Sequence, residues 1–446
     1  MKKRVIGLLT AGFMISAAVS AQAQETDTLR LTLSQALEVA LSENLTVKIA
    51  DQEIEKQEYA KKGTYAALFP QISLDGSYQR TIKKQTMYMD GMGDSENSSI
   101  QVGRDNSWSG GLSASMPLVS PTLWKSLKIS GYDVEMAIEK ARSSRIEMAA
   151  QVKQAFYTVL LARESLSVYE DAYRNAVENY NDIQRKLEQG SVAEYDLIRA
   201  NVNVKNAEPN VYDAQNSLII AHWQLKALLG LDLEIEVECI GSLPAYETEL
   251  MPVANEDFDL EGNSGLRQLD VQGDIYQKTI EMRRAAYYPT LSASFNYDWT
   301  SMNNNFKFSS YKWNPYSIAG LTLSIPVFSG GQRSAQTRQA RIDLGNLNLE
   351  RQETERNLQV SARQSADQMN TCIKQYHAAR AGVEESERGY TITMKRYETG
   401  EGTMLEINDS QLSLTQARLN LNQSIYNYLV ARSELEKTLG TIIEQQ

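Results

Sequence analysis

The chain has 446 residues, with 45 basic and 56 acidic side chains and a formal net charge of −11 at pH 7. This acidic balance argues against a nucleic-acid-binding protein, because the phosphate backbone is bound through basic surfaces. The two cysteines, Cys239 and Cys372, lie far apart, and we expect free thiols without a function. The two histidines, His222 and His377, lie in predicted helices, so a metal site is not expected.

The first residues have the pattern of a secretory signal peptide. Residues 2–4 are basic, residues 5–19 are apolar or small, and Ala21-Gln22-Ala23 fits the small-x-small cleavage pattern. The apolar run is shorter than the about 20 residues that span a bilayer, so residues 1–23 are interpreted as a leader rather than an anchor. Cleavage would leave 42 basic and 56 acidic residues, a net charge of −14.

The first structural repeat is predicted over residues 24–230 and begins with a helix. Thr32 and Gln35 form a capping-box pattern, and the helical period continues almost to Pro70. The period then changes to two, which predicts a strand hairpin at about 71–116 with one apolar and one polar face. The apolar face contains Ile72, Leu74, Gly76, Tyr78, Trp108, Gly110, Leu112, Ala114 and Met116.

The two strands of this hairpin are predicted to be joined by a long polar loop from about 81 to 106, and Pro117 is predicted to end the second strand. The loop contains Met87, Met89 and Met92, and thioether sulfur is a ligand for soft metals. Without histidine or cysteine partners beside them, these methionines are interpreted as incidental.

Two proline-free stretches of 68 residues predict long helices at 122–189 and 332–399, each reaching ~100 Å if fully helical. Such rods must pack against other rods, because no compact domain core encloses them. One heptad row of the first rod contains Ala141, Met148, Ala155, Ala162, Tyr169, Ala176 and Ile183. This row predicts coiled-coil packing with close helix approach. Return helices are predicted at 191–229 and 403–439.

The second half of the chain repeats the plan of the first. After a mixed, acidic segment at 231–263, residues 264–446 predict a helix, a strand hairpin at about 290–325, a long helix and a return helix. From the long helices onward the two halves are offset by a constant 210 residues, so that Gly190 corresponds to Gly400. A constant offset of this kind indicates an internal duplication.

Four strands are too few for a closed barrel, which in bacterial outer membranes takes about eight or more. Open strand edges are not tolerated in lipid, so a membrane location would require several copies to pool their strands. Aromatic side chains on the outer strand faces are typical of an interfacial girdle. They are Tyr78, Trp108, Tyr297 and Trp299. The alternative, a soluble sandwich with helical legs, leaves this one-sided aromatic excess unexplained.

Four motifs, taken together, make the chain resemble the TolC family of bacterial outer-membrane efflux and export channels. The motifs are Leu31-Thr32-Leu33-Ser34-Gln35-Ala36 with Ala40-Leu41 and Asn44, the alanine-rich approaches to Pro70 and Pro289, Pro326-Val327-Phe328-Ser329-Gly330-Gly331-Gln332-Arg333, and the paired helix tips at Leu187–Gly190 and Tyr397–Gly400. Each is weak alone. Duplicated, in this order and behind a signal peptide, they are specific, and they span nearly the whole mature chain.

The resemblance implies an α+β membrane protein and a homotrimer. Three chains of four strands would close one twelve-strand β-barrel in the outer membrane of a Gram-negative bacterium. The helices would continue as a coiled-coil barrel across the periplasm. A periplasmic adaptor would dock at the helix tips, and an inner-membrane pump of the resistance-nodulation-division or ABC type would supply the energy. The protein would be a passive duct, opened at its periplasmic end, that needs no cofactor.

The resemblance also implies a gate at the periplasmic helix tips. Asp196 and Tyr397 match positions that link neighbouring coils, and Glu406 and Asp409 match acidic rings of the constriction. The alternative interpretation of these acids is a solvated helix face. The arginine that locks the coils elsewhere in the family has no counterpart, since its position holds Gly402. The lock is therefore expected to be weaker or different.

At the tips themselves, small residues have two interpretations that can hold together. Gly190, Ser191, Gly400 and Gly402 are expected to cap helices, and the family resemblance implies that adaptor hairpins meet them tip to tip. A competing function is a periplasmic coiled-coil adaptor or structural envelope protein without a barrel. No nucleophile elbow, metal cluster or phosphate loop indicates an enzyme. The sequence leaves open whether drugs, metal ions or proteins are exported.

Overall fold

The computed structural model describes residues 29–88, 99–254 and 257–441. The predicted signal peptide and the predicted loop residues Met89 and Met92 lie outside the described residues. Among those described, no helix combines the length and apolar character needed to cross a membrane.

Long antiparallel helices dominate the fold. α3 (Pro121–Glu188) returns as α4 (Glu194–Leu229), and α6 (Gln332–Glu398) returns as α7 (Met404–Leu439). These are the helices predicted at 122–189, 191–229, 332–399 and 403–439. The alanine row of α3 lies in the seams, where Ala141 and Ala176 are buried together with Met148 and Ile183. Because α3 and α6 have 68 and 67 residues, the two ends of each helix lie ~100 Å apart.

The beginning of the first repeat differs from the prediction of one helix ending before Pro70. It contains α1 (Leu33–Glu43) and α2 (Leu45–Ala66), separated by Asn44 in an extended conformation. The Asn44 side chain accepts a bond from the Thr46 N–H (2.7 Å) and donates one to the Leu228 carbonyl (2.8 Å). A single-helix prediction was wrong because this asparagine caps a new helix and ties it to α4. The capping box at Thr32 and Gln35 is confirmed.

Asn263 has the same role in the second repeat. It caps α5 (Ser264–Ala285) and donates a bond to the Thr438 carbonyl (2.7 Å) at the end of α7. α5 packs beside both long helices. The two asparagines thus fasten the shorter helices to the return helices at equivalent places in the two halves.

At one end of the long helices lies an antiparallel sheet of four strands in the order β2-β5-β7-β8. The strands are β2 (Gln71–Arg80), β5 (Asn106–Val119), β7 (Thr290–Asn303) and β8 (Asn314–Ser324). The prediction that Pro117 ends its strand was wrong. β5 continues to Val119 through a shift in register against β7 between Pro117 and Val119. A proline lacks the N–H of a regular ladder, and such an irregularity accommodates it.

The segment predicted as a polar loop from 81 to 106 is also partly regular. It contains a small antiparallel hairpin of β3 (Gln85–Tyr88) and β4 (Ser99–Val102). The prediction of a loop was wrong there because short strands among polar residues give no clear alternation.

Midway along the helices, residues 231–254 and 257–263 form a collar. Its strand β6 (Val237–Cys239) pairs in parallel with β1 (Leu29–Leu31), and a 3₁₀ helix follows at Leu243–Glu249. The largest apolar core lies beneath it, with Phe156, Leu160 and Tyr428 almost fully buried. Cys239 and Cys372 are both buried free thiols.

Candidate functional site

The α3–α4 turn, which we call the first tip, is a Schellman motif centred on Gly190. Gly190 has φ +73°, its N–H donates to the Leu187 carbonyl (2.8 Å), and the Ser191 N–H donates to the Lys186 carbonyl (2.9 Å). The second tip, between α6 and α7, has Gly400 at φ +79° and the equivalent bonds from Gly400 to Tyr397 (3.1 Å) and from Glu401 to Arg396 (2.9 Å). Glycine is required at both centres because other residues rarely adopt positive φ.

The two tips pack against each other through a small apolar core. Ile183 and Ala200 of the first coil and Met404 and Ile407 of the second are at most 3 % exposed. The partly buried residues around them are Tyr180, Val192, Leu197, Tyr390, Met394 and Tyr397. The structure therefore brings the predicted latch residue Tyr397 into the contact between the two coils.

Tyr397 lies in an unusual environment. Its hydroxyl is buried and has no hydrogen-bond partner among the described residues. Burial raises the pKa of this phenol, and the charges of Asp196 and Asp182 raise it further. The ammonium of Lys186 lies 4.7 Å from the ring centroid, a cation–π contact. Asp196 is thus close enough to act on Tyr397 electrostatically, although no hydrogen bond joins the two side chains.

The two predicted ring acids differ in their surroundings. Glu406 is the third residue of α7, and its carboxylate accepts the Thr403 N–H (3.1 Å) in a capping box. It also lies 3.9 Å from the guanidinium of Arg396. Asp409 is exposed, and its carboxylate has no bond with any residue the structure describes. The Asp409 carboxylate is therefore exposed and unpaired among the described residues, whereas the Glu406 carboxylate caps the start of α7.

Gly402, at the position of the missing arginine, is packed tightly. A Cβ atom there would lie 2.9 Å from the Tyr397 nitrogen and 3.1 Å from the Arg396 carbonyl carbon. These are backbone atoms that cannot rotate away, so any larger residue would push the turn apart. At Gly190 and Gly400, no atom lies within 4 Å of the corresponding Cβ position. Side chains placed at those two tips would project outward.

Polar contacts that the sequence analysis did not identify also join the coils. The Asn203 amide of α4 donates to the Asn408 side chain of α7, and Gln411 donates to the Ala172 carbonyl of α3 (3.4 Å). Arg418 of α7 lies 3.5 Å from Asp171 of α3 and 2.7 Å from Glu387 of α6. An amide-lined cavity of about 260 Å³ lies beside the asparagine pair.

One signal in the sequence marks this contact. α4 carries asparagines at 203, 206 and 210, a three-and-four spacing that places them on one helix face. Amides on a face that should be apolar indicate a polar seam. Gly402 stands where the family has its coil-locking arginine. In this chain Arg418 places a cation between the coils instead.

At the opposite end of the molecule, the strand register defines the faces of the sheet. Tyr78 lies opposite Trp108, and Leu112 lies opposite Tyr297. Because side chains alternate along a strand, all four predicted interfacial aromatics share one face with the apolar residues. Tyr78 and Trp108 have ring centroids 4.4 Å apart, and Tyr297 and Trp299 have centroids 5.8 Å apart.

The other face of the sheet is polar. Serine hydroxyls pair across β2 and β5, Ser73 with Ser113 (2.7 Å) and Ser77 with Ser109 (2.8 Å). On the same face, Gly111 leaves room for the carboxylate of Asp298. A sheet that is apolar on one face and hydroxyl-rich on the other suits a boundary between lipid and water. Among the described residues no group of three or more His, Cys, Asp or Glu side chains is arranged to hold a metal ion.

A four-stranded sheet with one apolar face, set on paired coils that meet at their far tips, defines a class of bacterial outer-membrane channel proteins. The family model described as outer membrane efflux protein matches residues 36–231 and 259–441. The chain belongs to the outer membrane efflux protein family, whose members are channels that extend from the outer membrane into the periplasm.

Individual proteins agree with this assignment. The chain is 22 % identical over 384 residues to the outer membrane protein TolC of Vibrio cholerae, which covers 85 % of this chain and 84 % of that protein. It is 25 % identical over 315 residues to the alkaline protease secretion protein AprF of Pseudomonas aeruginosa, covering 69 % and 64 %. The crystal structure of the Campylobacter jejuni CmeC outer membrane channel superposes with a TM-score of 0.69 at 18 % identity, covering 98 % of this chain and 94 % of that one.

Proposed function

We propose that three copies of the chain close a twelve-strand barrel and form a passive duct of a tripartite efflux or export system. The single observation that carries this proposal is the sheet with two outer edges. Among the described residues, β2 and β8 each pair with another strand on one side only. Unpaired N–H and C=O groups are very costly in lipid, so the edges of neighbouring copies would pair with each other.

Aromatic residues at both ends of the sheet support a membrane position. Tyr78, Trp108 and Trp299 lie toward its loop end. Toward the helix end, large exposed side chains include Phe69 (65 %), Tyr288 (62 %) and Phe328 (87 %). Aromatic belts at two levels are typical of the two lipid–water interfaces, and strands of 10–14 residues suit an apolar band about 25 Å tall.

The distant tips are the proposed gate and docking end. Asp196, Tyr397 and the polar contacts around Arg418 would hold the coils together, and three copies of Asp409 would line the narrow mouth. The outward-facing positions at Gly190, Ser191 and Gly400 would meet the hairpins of a periplasmic adaptor. An inner-membrane pump of the resistance-nodulation-division or ABC type would drive export. AprF is named for alkaline protease secretion, and neighbouring pump genes would identify the cargo class here.

The test is made on the purified mature protein in detergent and in planar bilayers. We expect a particle of about three times the mass of one mature chain, and discrete channel openings after insertion. A monomer in mild detergent, or a trimer that never spans a bilayer, would exclude the proposed duct.

A further inference from the structure

The lipid-facing side of the sheet contains an open groove of about 540 Å³ near its loop end. Aromatic and apolar side chains surround it. They include Leu74, Tyr78, Trp108, Trp299 and Trp313. The floor is the backbone around Gly76, where no atom lies within 4 Å of the position of a Cβ. A groove with a bare backbone floor and aromatic walls has the shape and chemistry to hold an acyl chain.

Gly110, on the adjacent strand, shows that not every glycine on this face leaves an opening. Gly110, opposite Gly76 in the ladder, is covered by the indole of Trp299, whose Nε1 atom lies 2.6 Å from the Cβ position. One glycine of the pair therefore accommodates a side chain of the same sheet, and the other leaves space open on this face of the single chain.

Directly beyond this groove the described residues are mainly basic, whereas residues 89–98 of the same connection, which lie outside the described part, include the acids Asp90, Asp94 and Glu96. Arg80 lies on the same sheet face as Tyr78, two residues further along β2, and it is exposed. The described residues of this pole, 80–88, 99–107 and 301–313, contain six basic residues and one acid, Asp105. The basic residues are Arg80, Lys83, Lys84, Arg104, Lys307 and Lys312. This contrasts with the acidic chain as a whole, whose formal charge is −11.

Most of these charges are unpaired within the described part of the chain. Lys84 forms an ion pair with Asp105 (3.0 Å) and contacts Asn304 of the β7–β8 connection. The other five basic side chains have no carboxylate within ion-pair distance among the residues described. The Asp105 N–H also donates to Asn304 (3.0 Å), so the two connecting loops are fastened together with their basic side chains exposed.

We propose that this pole binds a phosphorylated glycolipid of the outer leaflet, with a phosphate at Arg80 and its basic neighbours and an acyl chain in the groove over Gly76. The proposal rests on the proposed function, which places this pole at the outer surface. Arginine binds phosphate through two parallel N–H bonds, and basic clusters beside an apolar surface attract anionic lipid. The chemistry fits one lipid molecule with its headgroup above the aromatic row and its chain below.

The test uses native mass spectrometry of the full-length protein in detergent with lipid A, with lipid A lacking its phosphates, and with inorganic phosphate as competitor. We expect Arg80→Gln with Arg104→Gln to weaken lipid A binding by about tenfold, because each basic group near the surface contributes on the order of a tenfold effect or less. Gly76→Leu should weaken both lipids by filling the groove. The control is Arg356→Gln with Lys374→Gln, an equal charge change on exposed helix surface.

Three outcomes would overturn the inference. Equal binding of the two lipids would exclude phosphate recognition, full competition by millimolar inorganic phosphate would indicate a free-anion site, and no effect of Gly76→Leu would exclude the groove. Planar-bilayer conductance of the same variants separates this inference from the proposed function. Channels that conduct normally but show no lipid preference contradict the lipid site alone, whereas protein that never conducts contradicts the duct.

Discussion

The turn from α3 to α4 and the turn from α6 to α7 have the same backbone geometry, but different side chains stabilise them. At the first tip, the residue before α4 is Ala193, which has no side chain able to cap the helix. At the second tip, Thr403 and Glu406 form a capping box, and Gly402 lets the turn close onto the backbone of α6. The duplicated positions are Val192 and Gly402, Ala193 and Thr403, and Asp196 and Glu406.

This difference indicates that local hydrogen bonds stabilise the second tip, whereas packing stabilises the first. The second tip contains its own hydrogen bonds, so its shape depends less on contacts with the other coil, and it carries the exposed carboxylate of Asp409. The first tip has fewer local bonds and depends on packing against its neighbours. The two tips share the glycine turn, which the backbone requires, and differ in the side chains beside it.

The largest expected effect comes from Gly190→Trp. The indole would project from the first tip into the space where we expect the adaptor, and tryptophan at positive φ costs only about 1–2 kcal/mol. Trimers should form while export stops. Gly190→Asn is the matched control, because asparagine tolerates this conformation. Gly400→Trp asks whether the second tip docks as well. Normal export by the Gly190→Trp protein would place the docking surface elsewhere.

Gly402→Val should break the second tip while its reciprocal change, Val192→Gly, should affect the first tip less. A valine at 402 overlaps the backbone at Tyr397, and overpacking of this kind costs about 1–3 kcal/mol. Hydrogen exchange should become faster at the start of α7, and closed-channel leakage should increase. Unchanged exchange in the Gly402→Val protein would show that the close approach is not a constraint.

Asp196→Ala combined with Tyr397→Phe tests the contact between the tips. Asp196 and Tyr397 are proposed to link neighbouring coils, and the buried Tyr397 hydroxyl has no partner among the described residues. If both side chains contact a neighbouring copy in the trimer, the double variant should loosen the mouth and raise conductance in a planar bilayer. Glu194→Ala with Tyr195→Phe likewise removes one carboxylate and one phenol hydroxyl, at exposed positions in the first turn of α4, and it should conduct like the unaltered protein. If the first pair also does, these two residues are not a latch.

Asp409→Asn tests the proposed acidic mouth. The corresponding position of the first repeat is Arg199, so the two tips differ in charge at equivalent places. A ring of three carboxylates between low-dielectric walls attracts cations, and its removal should lower the cation-to-anion permeability ratio by about twofold or more. Arg199→Gln should change it less. Reversal potentials provide the measurement, and anion preference in the unaltered channel would contradict the ring.

Periodicity and turn chemistry were sufficient to predict the four long helices, the two hairpins and the capping box at Thr32. The predictions failed at two positions where a single residue changed the expected helix or strand boundary. Asn44 began a second helix, and Pro117 remained inside a strand. At the site, the glycine turns at Gly190 and Gly400 followed from residue type. The Asn203–Asn408 and Arg418–Asp171 contacts join residues more than 200 positions apart, and only the packing of the coils determines such pairs.

The smallest expected effect comes from exchanging the helix caps of the two tips. Thr403→Ala removes the capping box of α7 and should cost about 1 kcal/mol of local stability. Ala193→Thr should do the reverse at the first tip. Ala193 already has an extended backbone with φ −79° and ψ 150°, and Asp196 stands three residues later, so threonine there would complete a capping pattern. Hydrogen exchange at the two helix starts should change in opposite directions. If Ala193→Thr does not slow exchange at α4, contacts with neighbouring helices rather than the missing cap determine the local stability of the first tip.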